Sequence, residues 1–307
     1  MKCTWSSKSS TFTFSTERVD GVVSALFSGE DIACHRLHQV VHKPTGTLVS
    51  PDGEREAGLL SPYKVLARAS YLTELRVQRP HVEAHESGLR FRWPPTMHHQ
   101  AAVEITLEVK DPNIIDLSLQ VEGYASYSDY QVFLNSYVAP GFKPVVYLAG
   151  TDADVEQVEV VYNPVYKGMY NLFPRDMKAA RVLYDGRGQS GRHNWWVALG
   201  RTYGCAMGVF TNGTTDVVMM GSPEDVQAVG VSYGGNEHVD RVAAHRGLYL
   251  PMFGRDLRPG MGWQTQARMV IDDFKADPSQ HLRLYEEFRD DLATKPRDVS
   301  AVPQQWV

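Results

Sequence analysis

From Ala101 to Glu122 the chain alternates hydrophobic and polar residues with a period of two. Val103, Ile105, Leu107 and Val109 interleave with Glu104, Thr106 and Glu108. After Asp111-Pro112-Asn113, Leu117, Leu119 and Val121 interleave with Ser118, Gln120 and Glu122. Successive strand residues point to opposite faces, so two such runs around a Pro-Asn turn predict an antiparallel hairpin with one face buried. Similar runs at 11–16, 21–28, 36–42, 88–93, 131–139, 144–149, 155–162, 180–185, 194–200, 204–211, 215–220, 226–233, 247–253 and 262–272 predict further strands. The turns between them are marked by Lys43-Pro44-Thr45-Gly46, Pro51-Asp52-Gly53, Asp185-Gly186, Asn212-Gly213 and Gly234-Gly235-Asn236. One helix is predicted near the end of the chain. Asp277 is its N-cap, Pro278 its first residue, and Leu282, Tyr285, Phe288 and Leu292 its apolar stripe.

This pattern predicts an all-β protein: residues 1–275 as a single large antiparallel β-sandwich and 276–307 as a C-terminal helix and tail. A propeller would show blade repeats, and none is visible. Two successive jelly rolls or cupins would need a break in composition near the middle, where the text instead runs on without one.

Composition narrows the partners. The chain has 307 residues, 43% hydrophobic and 22% charged, with a formal net charge of −5 and no basic run, which gives no general attraction to nucleic acid or anionic membrane. No run approaches the ~20 apolar residues of a membrane-spanning helix. The N-terminus lacks the apolar stretch of a secretory signal, so the expected location is the cytoplasm. Cys3, Cys34 and Cys205 are odd in number and far apart, which suggests neither a disulfide framework nor a zinc knuckle.

The middle of the chain changes the picture most. Between Tyr124 and Trp196 lie nine tyrosines and the pair Trp195-Trp196, mixed with Asn, Asp, Arg and His. Aromatic walls with planar hydrogen-bonding groups suit a ligand with apolar faces and many hydroxyls, and a mono- or oligosaccharide is the commonest of that kind. Tyrosine is also simply a good strand residue on half-buried sheets.

The strand count, the size and this aromatic-rich middle resemble the galactose mutarotase-like β-supersandwich proteins, a group that includes aldose epimerases and domains of glycoside hydrolases and polysaccharide lyases. The stretch His238 to Leu257, ending Leu-Tyr-Leu-Pro-Met-Phe-Gly-Arg-Asp-Leu, is similar to uncharacterised bacterial proteins of sugar-degrading gene sets. The resemblance spans roughly residues 20–275 and implies a sugar groove on a sheet face. The His and Glu motifs of true aldose epimerases have no evident counterpart, which argues against simple mutarotase activity.

Two glycine-marked loops join His, a carboxylate or Arg, and aromatics within a few residues. In Gly191-Arg192-His193-Asn194-Trp195-Trp196, His193 is a candidate acid or base, Arg192 a clamp for a carboxylate, and Trp195 a stacking wall. In Gly234-Gly235-Asn236-Glu237-His238 and the following His245, Glu237, His238 and His245 supply partners for proton transfer. Tyr127, Asn135 and Tyr137 are expected to line the groove, and a tyrosine with a lowered pKa would suit β-elimination. The expected function is a carbohydrate-active acid/base enzyme of the hydrolase, lyase or epimerase class. A binding module without catalysis shares the same features.

A cupin-like metal enzyme is the third class. It needs no organic cofactor, but it requires His38 and His42 to converge with one of His81, His85, His98 or His99, since three or more ligands must meet. The favoured reading needs no cofactor, and a structural or catalytic divalent metal stays open beside it.

Overall fold

A computed structural model describes residues 1–25, 35–51, 58–151, 154–161, 170–187, 195–234 and 246–294. In chain order the strands are β1 (Lys2–Ser6), β2 (Thr11–Ser15), β3 (Val19–Ser24), β4 (Arg36–His42), β5 (Thr47–Leu48), β6 (Ser61–Ala67), β7 (Ser70–Glu74), β8 (His81–His85), β9 (Gly88–Trp93), β10 (Ala101–Lys110) and β11 (Ile114–Gly123). They continue as β12 (Tyr127–Tyr137), β13 (Lys143–Ala149), β14 (Val155–Glu159), β15 (Tyr170–Pro174), β16 (Trp195–Val197), β17 (Tyr203–Thr211), β18 (Asp216–Gly221), β19 (Ala228–Tyr233), β20 (Arg246–Leu257) and β21 (Gly262–Asp272). Helix α1 (Met177–Leu183) lies between β15 and β16, and α2 (Pro278–Ala293) follows β21. No helix among the described residues is long and apolar enough to cross a membrane.

The strands form three sheets. A five-stranded meander, β1 to β5, precedes a nine-stranded sheet of order β14-β13-β17-β18-β21-β11-β10-β9-β8 and a seven-stranded sheet of order β16-β15-β19-β20-β12-β6-β7. The predicted hairpin is β10 and β11, paired from Ala101↔Gly123 to Lys110↔Ile114, and its apolar set faces the core. All strand pairs are antiparallel except β15 with β16.

One continuous core runs between the sheets and includes Phe12, Leu37, Leu117, Val132, Leu134, Val218, Leu248 and Leu250. Two glycines let the large sheets approach each other. A Cβ on Gly208 of β17 would lie 2.6 Å from Leu248 of β20, and one on Gly221 of β18 would lie 2.6 Å from Val226. A real side chain would force the sheets apart, because interiors are close-packed.

The C-terminal helix forms as predicted, with Asp277 accepting from the Ser279 amide and Pro278 in the first turn. Its buried positions are His281, Tyr285, Phe288 and Leu292, so His281 takes the place expected of Leu282, which is only partly buried. The helix lies across β13, β17, β18 and β21. His281 Nδ1 meets the Tyr147 hydroxyl at 2.7 Å and its Nε2 meets Asp216 at 3.0 Å. The Tyr285 hydroxyl accepts from the Ala206 amide. Arg268 donates to Asp116 through Nε at 2.6 Å and Nη2 at 3.0 Å, and through Nη1 to Asp291 of the helix at 2.7 Å.

The 180–185 run is not a strand. Asp176 caps a helix there by accepting from the Ala179 amide, and Ala179, Ala180, Val182 and Leu183 are buried at helical spacing.

Burial of Asp116 opposes its charge, but Arg268 and Lys110 outweigh that and hold its pKa below the usual carboxylate range. Replacing Asp116 with Ala leaves Arg268 with Asp291 of α2 as its one carboxylate among the described residues and should cost up to about 3–5 kcal/mol in denaturant unfolding. His35 and His99 are core residues: His35 packs on Phe91 and Trp93, and His99 bonds the Tyr130 hydroxyl. Burial lowers both to about 4, in His35 against an opposing hydrogen bond to the Gln78 carbonyl. A lowered folded pKa means that the unfolded chain takes up protons first, so stability is lost as pH falls from ~6.5 toward 4, by up to about 3 kcal/mol for each histidine. Denaturant unfolding at pH 7 and pH 4.5 should show this slope, and His99→Phe should flatten it.

Candidate functional site

The seven-stranded sheet presents one face to the core and a second face that carries its own cluster of side chains. On β12, Val132 and Leu134 enter the core and Ser136 donates to Met219, while Phe133, Asn135 and Tyr137 point the other way. On β20 the corresponding second-face residue is Tyr249, between Leu248 and Leu250 of the core. Tyr63 and Leu66 of β6, Leu172 of β15, Ala228 of β19 and Val197 of β16 complete the cluster, with Ala180 and Leu183 of α1 packed onto it.

This face is concave. Trp195 of β16 and Phe133 of β12 are four strands apart, about 19 Å on a flat sheet. Their rings nonetheless stack at 5.0 Å with planes 6° apart. The sheet must curl for them to meet, and α1 sits within the curl: the Trp195 indole donates to the Leu183 carbonyl at 3.1 Å.

Beyond the part that α1 covers, the face becomes polar. Tyr249 donates to the Tyr137 hydroxyl at 2.8 Å, the rings perpendicular, and Gly247 leaves room beneath them. A Cβ at Gly247 would meet the Tyr249 hydroxyl at 2.7 Å. Asn135 pairs across the ladder with Tyr249 on one side and Ser61 on the other. It is 0% exposed, and neither its amide oxygen nor its amide nitrogen has a hydrogen-bond partner of normal geometry among the described residues. Burial pushes the Tyr137 phenol up, against the Tyr249 hydrogen bond, the Arg76 charge and the nearby Asn135 amide. The lowered tyrosine pKa expected from sequence is therefore not found at Tyr137, which stays a neutral hydroxyl.

The β6–β7 side adds charge. The Arg76 guanidinium lies 4.2 Å over the Tyr63 ring and donates from Nε to Glu74 at 2.7 Å. Lys64 Nζ lies 5.0 Å from the same ring and 5.9 Å from that of Tyr71. Burial raises the Tyr71 phenol, reinforced by Glu74. The sequence reading did not nominate Tyr63, Lys64, Glu74, Arg76 or Tyr249. Only the pairing of β6 with β12 and of β7 with β6 brings the first four to this face.

Among the residues that sequence did nominate, Asn135, Tyr137 and Trp195 share the concave face. Tyr127 does not join them. Register shifts between Tyr127, Tyr130 and Gln131, with Asp129 at φ +50°, separate it from the alternation that follows. Tyr127 packs on His99 and Tyr130 at the main core, and its hydroxyl accepts from the Gln100 amide. Arg192, His193, Glu237, His238 and His245 lie outside the described residues. The strand ends that flank them are described. Trp195 begins β16, Tyr233 ends β19 and Arg246 begins β20, at the end of the sheet where β12 finishes with Tyr137.

The histidine convergence required of a cupin-like metal site does not occur. His38 bonds Ser24, His99 bonds Tyr130, and the sole described cluster with metal-like spacing is His42, Asp272 and Asp273, within 4.8 Å of one another. Arg18 already supplies a cation there, 2.5 Å from Asp272 and 2.6 Å from Asp273.

No protein-family model matches the chain, and no curated protein matches its sequence. Solved structures do. A candidate aldose 1-epimerase from Escherichia coli K12 aligns at TM-score 0.50 and 9% identity, over 85% of this chain and 98% of that one. A GalM/aldose epimerase homologue from C. elegans aligns at 0.48 and 9%, over 85% and 98%. Heparan sulfate lyase HepC from Pedobacter heparinus aligns at 0.49 and 8%, over 91% of this chain and 37% of that one. At such identities the likeness is one of architecture, and the chain folds as a galactose mutarotase-like β-supersandwich.

Proposed function

We propose that this protein binds a mono- or oligosaccharide on the concave face of the seven-stranded sheet and acts on it by acid–base chemistry. The observation that carries the reading is Asn135. A buried amide that, among the described residues, has no hydrogen bond of normal geometry and only the nearby Tyr137 hydroxyl for company costs about 1–3 kcal/mol, so a chain that keeps one beneath a concave, tyrosine-lined face gains something else from it. An amide offers a donor and an acceptor in one plane, which matches neighbouring hydroxyls of a sugar ring. Tyr137 and Tyr249 add hydroxyls and aromatic walls, and the curl of the sheet supplies the enclosure.

The catalytic groups in this reading are His193, or a histidine of the pair His238 and His245, as acid or base, with Glu237 as its partner. Arg192 orients the ring, with Asn135, Tyr137 and the Trp195 wall as substrate contacts. The strands that flank these segments end beside Tyr137, and catalytic residues favour loops held by a rigid scaffold. The choice among hydrolysis, elimination and epimerisation falls to a glycan panel in which reducing ends and unsaturated-uronate absorbance are followed together.

Asn135→Leu should raise unfolding stability by about 1–3 kcal/mol while abolishing sugar binding, as relief of an unsatisfied amide predicts. A variant that is destabilised and still binds would remove Asn135 from the site. On the glycan that the panel identifies, His193→Ala or His245→Ala should lower the rate by about 10²–10⁴-fold with an unchanged circular dichroism spectrum. Full activity in both variants would contradict the catalytic assignment.

A further inference from the structure

Among the described residues, Lys64 and Arg76 bring two cations and Glu74 one carboxylate to the Tyr63 end of the β6–β7 side of the concave face. Arg76 and Lys64 both lie against Tyr63, which is itself almost fully buried. Glu74 is the carboxylate, and its ion pair is with Arg76. Lys64 sits opposite Glu74 in the β6/β7 ladder, yet its ammonium makes no ion pair among the described residues and rests between the Tyr63 and Tyr71 rings. The tyrosines supply no counter-charge: Tyr71 and Tyr137 both have phenols held above their ordinary pKa. Among the described residues, one positive charge is therefore left without an ion pair on the same face as the buried Asn135 amide.

This imbalance is unfavourable by itself. Burial, and then the Arg76 charge, lower the Lys64 pKa against the pull of Glu74. An anion within reach of Lys64 and Arg76 would reverse that penalty, because charge-assisted bonds in a partly desolvated site are about twice as strong as neutral ones. Tyr63 and Tyr71 offer apolar surface to the ring that carries the anion, while Asn135, Tyr137 and Tyr249 offer neutral hydrogen bonds to its hydroxyls.

We infer that the carbohydrate taken by this face is acidic, with a uronate carboxylate seated on Lys64 and Arg76. The inference rests on the reading of the concave face as a sugar site, and it adds residues that the sequence did not nominate.

The test is calorimetric titration of the full chain with trigalacturonate and triglucuronate, with their methyl esters, and with the matching neutral trisaccharides, at low and high salt. At least one free acid should bind tenfold or more tighter than its ester, and its affinity alone should fall with salt. Lys64→Gln should remove most of the difference between acid and ester, while Lys64→Arg should restore it. Equal binding of acid and ester overturns the acidic-sugar inference and leaves the carbohydrate reading standing. So does an acid preference that survives Lys64→Gln, because the charge then lies elsewhere. Failure of every acid, ester and neutral sugar to bind overturns both.

Discussion

Strand β12 has to satisfy two environments at once, and the rest of the molecule is arranged around that demand. One set of its side chains, Val132 and Leu134 with Ser136, closes the core between the two large sheets. The alternate set, Phe133, Asn135 and Tyr137, forms the floor of a second, concave surface. Period two leaves no freedom here, since a slip of one residue would exchange the sets. The neighbouring β20 obeys the same rule, with Leu248 and Leu250 inward and Tyr249 outward. The close approach at Gly208 and Gly221 fixes the inner face, and the stacking of Trp195 on Phe133 beside α1 fixes the curl of the outer one.

Charge is distributed to match. Where the chain needs rigidity it pairs buried ions completely. Arg268 with Asp116 under α2 is one case, and Arg187 is another, held by both oxygens of Asp185, the Asp129 carbonyl and Gln131. On the concave face the accounts are left open, with an amide lacking partners and a lysine lacking a counter-ion among the described residues. Buried polar groups are nearly always satisfied in native proteins, and among the described residues Asn135 stands out because both polar atoms of its amide lack a hydrogen bond of normal geometry.

The parts of this arrangement that were legible in the sequence are those with regular periodicity. The β10–β11 hairpin declared itself through strict alternation, and α2 through Asp277, Pro278 and its stripe. Strand β6 was silent because nearly all its residues are buried and it carries Pro62, so Ser-Pro-Tyr-Lys-Val-Leu-Ala shows no alternation. The 180–185 run looked like a strand because Val182, Leu183 and Tyr184 are apolar, whereas Asp176 and the Ala179-Ala180 pair were the decisive signals. The tyrosine-rich text led to Asn135 and Tyr137, but it gave equal standing to Tyr127, which a register shift separates from them. Glu74 and Arg76 lie in a stretch without a motif, and only long-range strand pairing gives them a role.

The central claim is that the concave face of the seven-stranded sheet is where carbohydrate binds. A crystal structure of the protein with a bound oligosaccharide tests it most directly. The account predicts sugar hydroxyls within hydrogen-bond distance of both polar atoms of the Asn135 amide and of the Tyr137 hydroxyl. A sugar bound on the five-stranded meander, or on the nine-stranded sheet beside α2, with Asn135 still unpartnered, would contradict it.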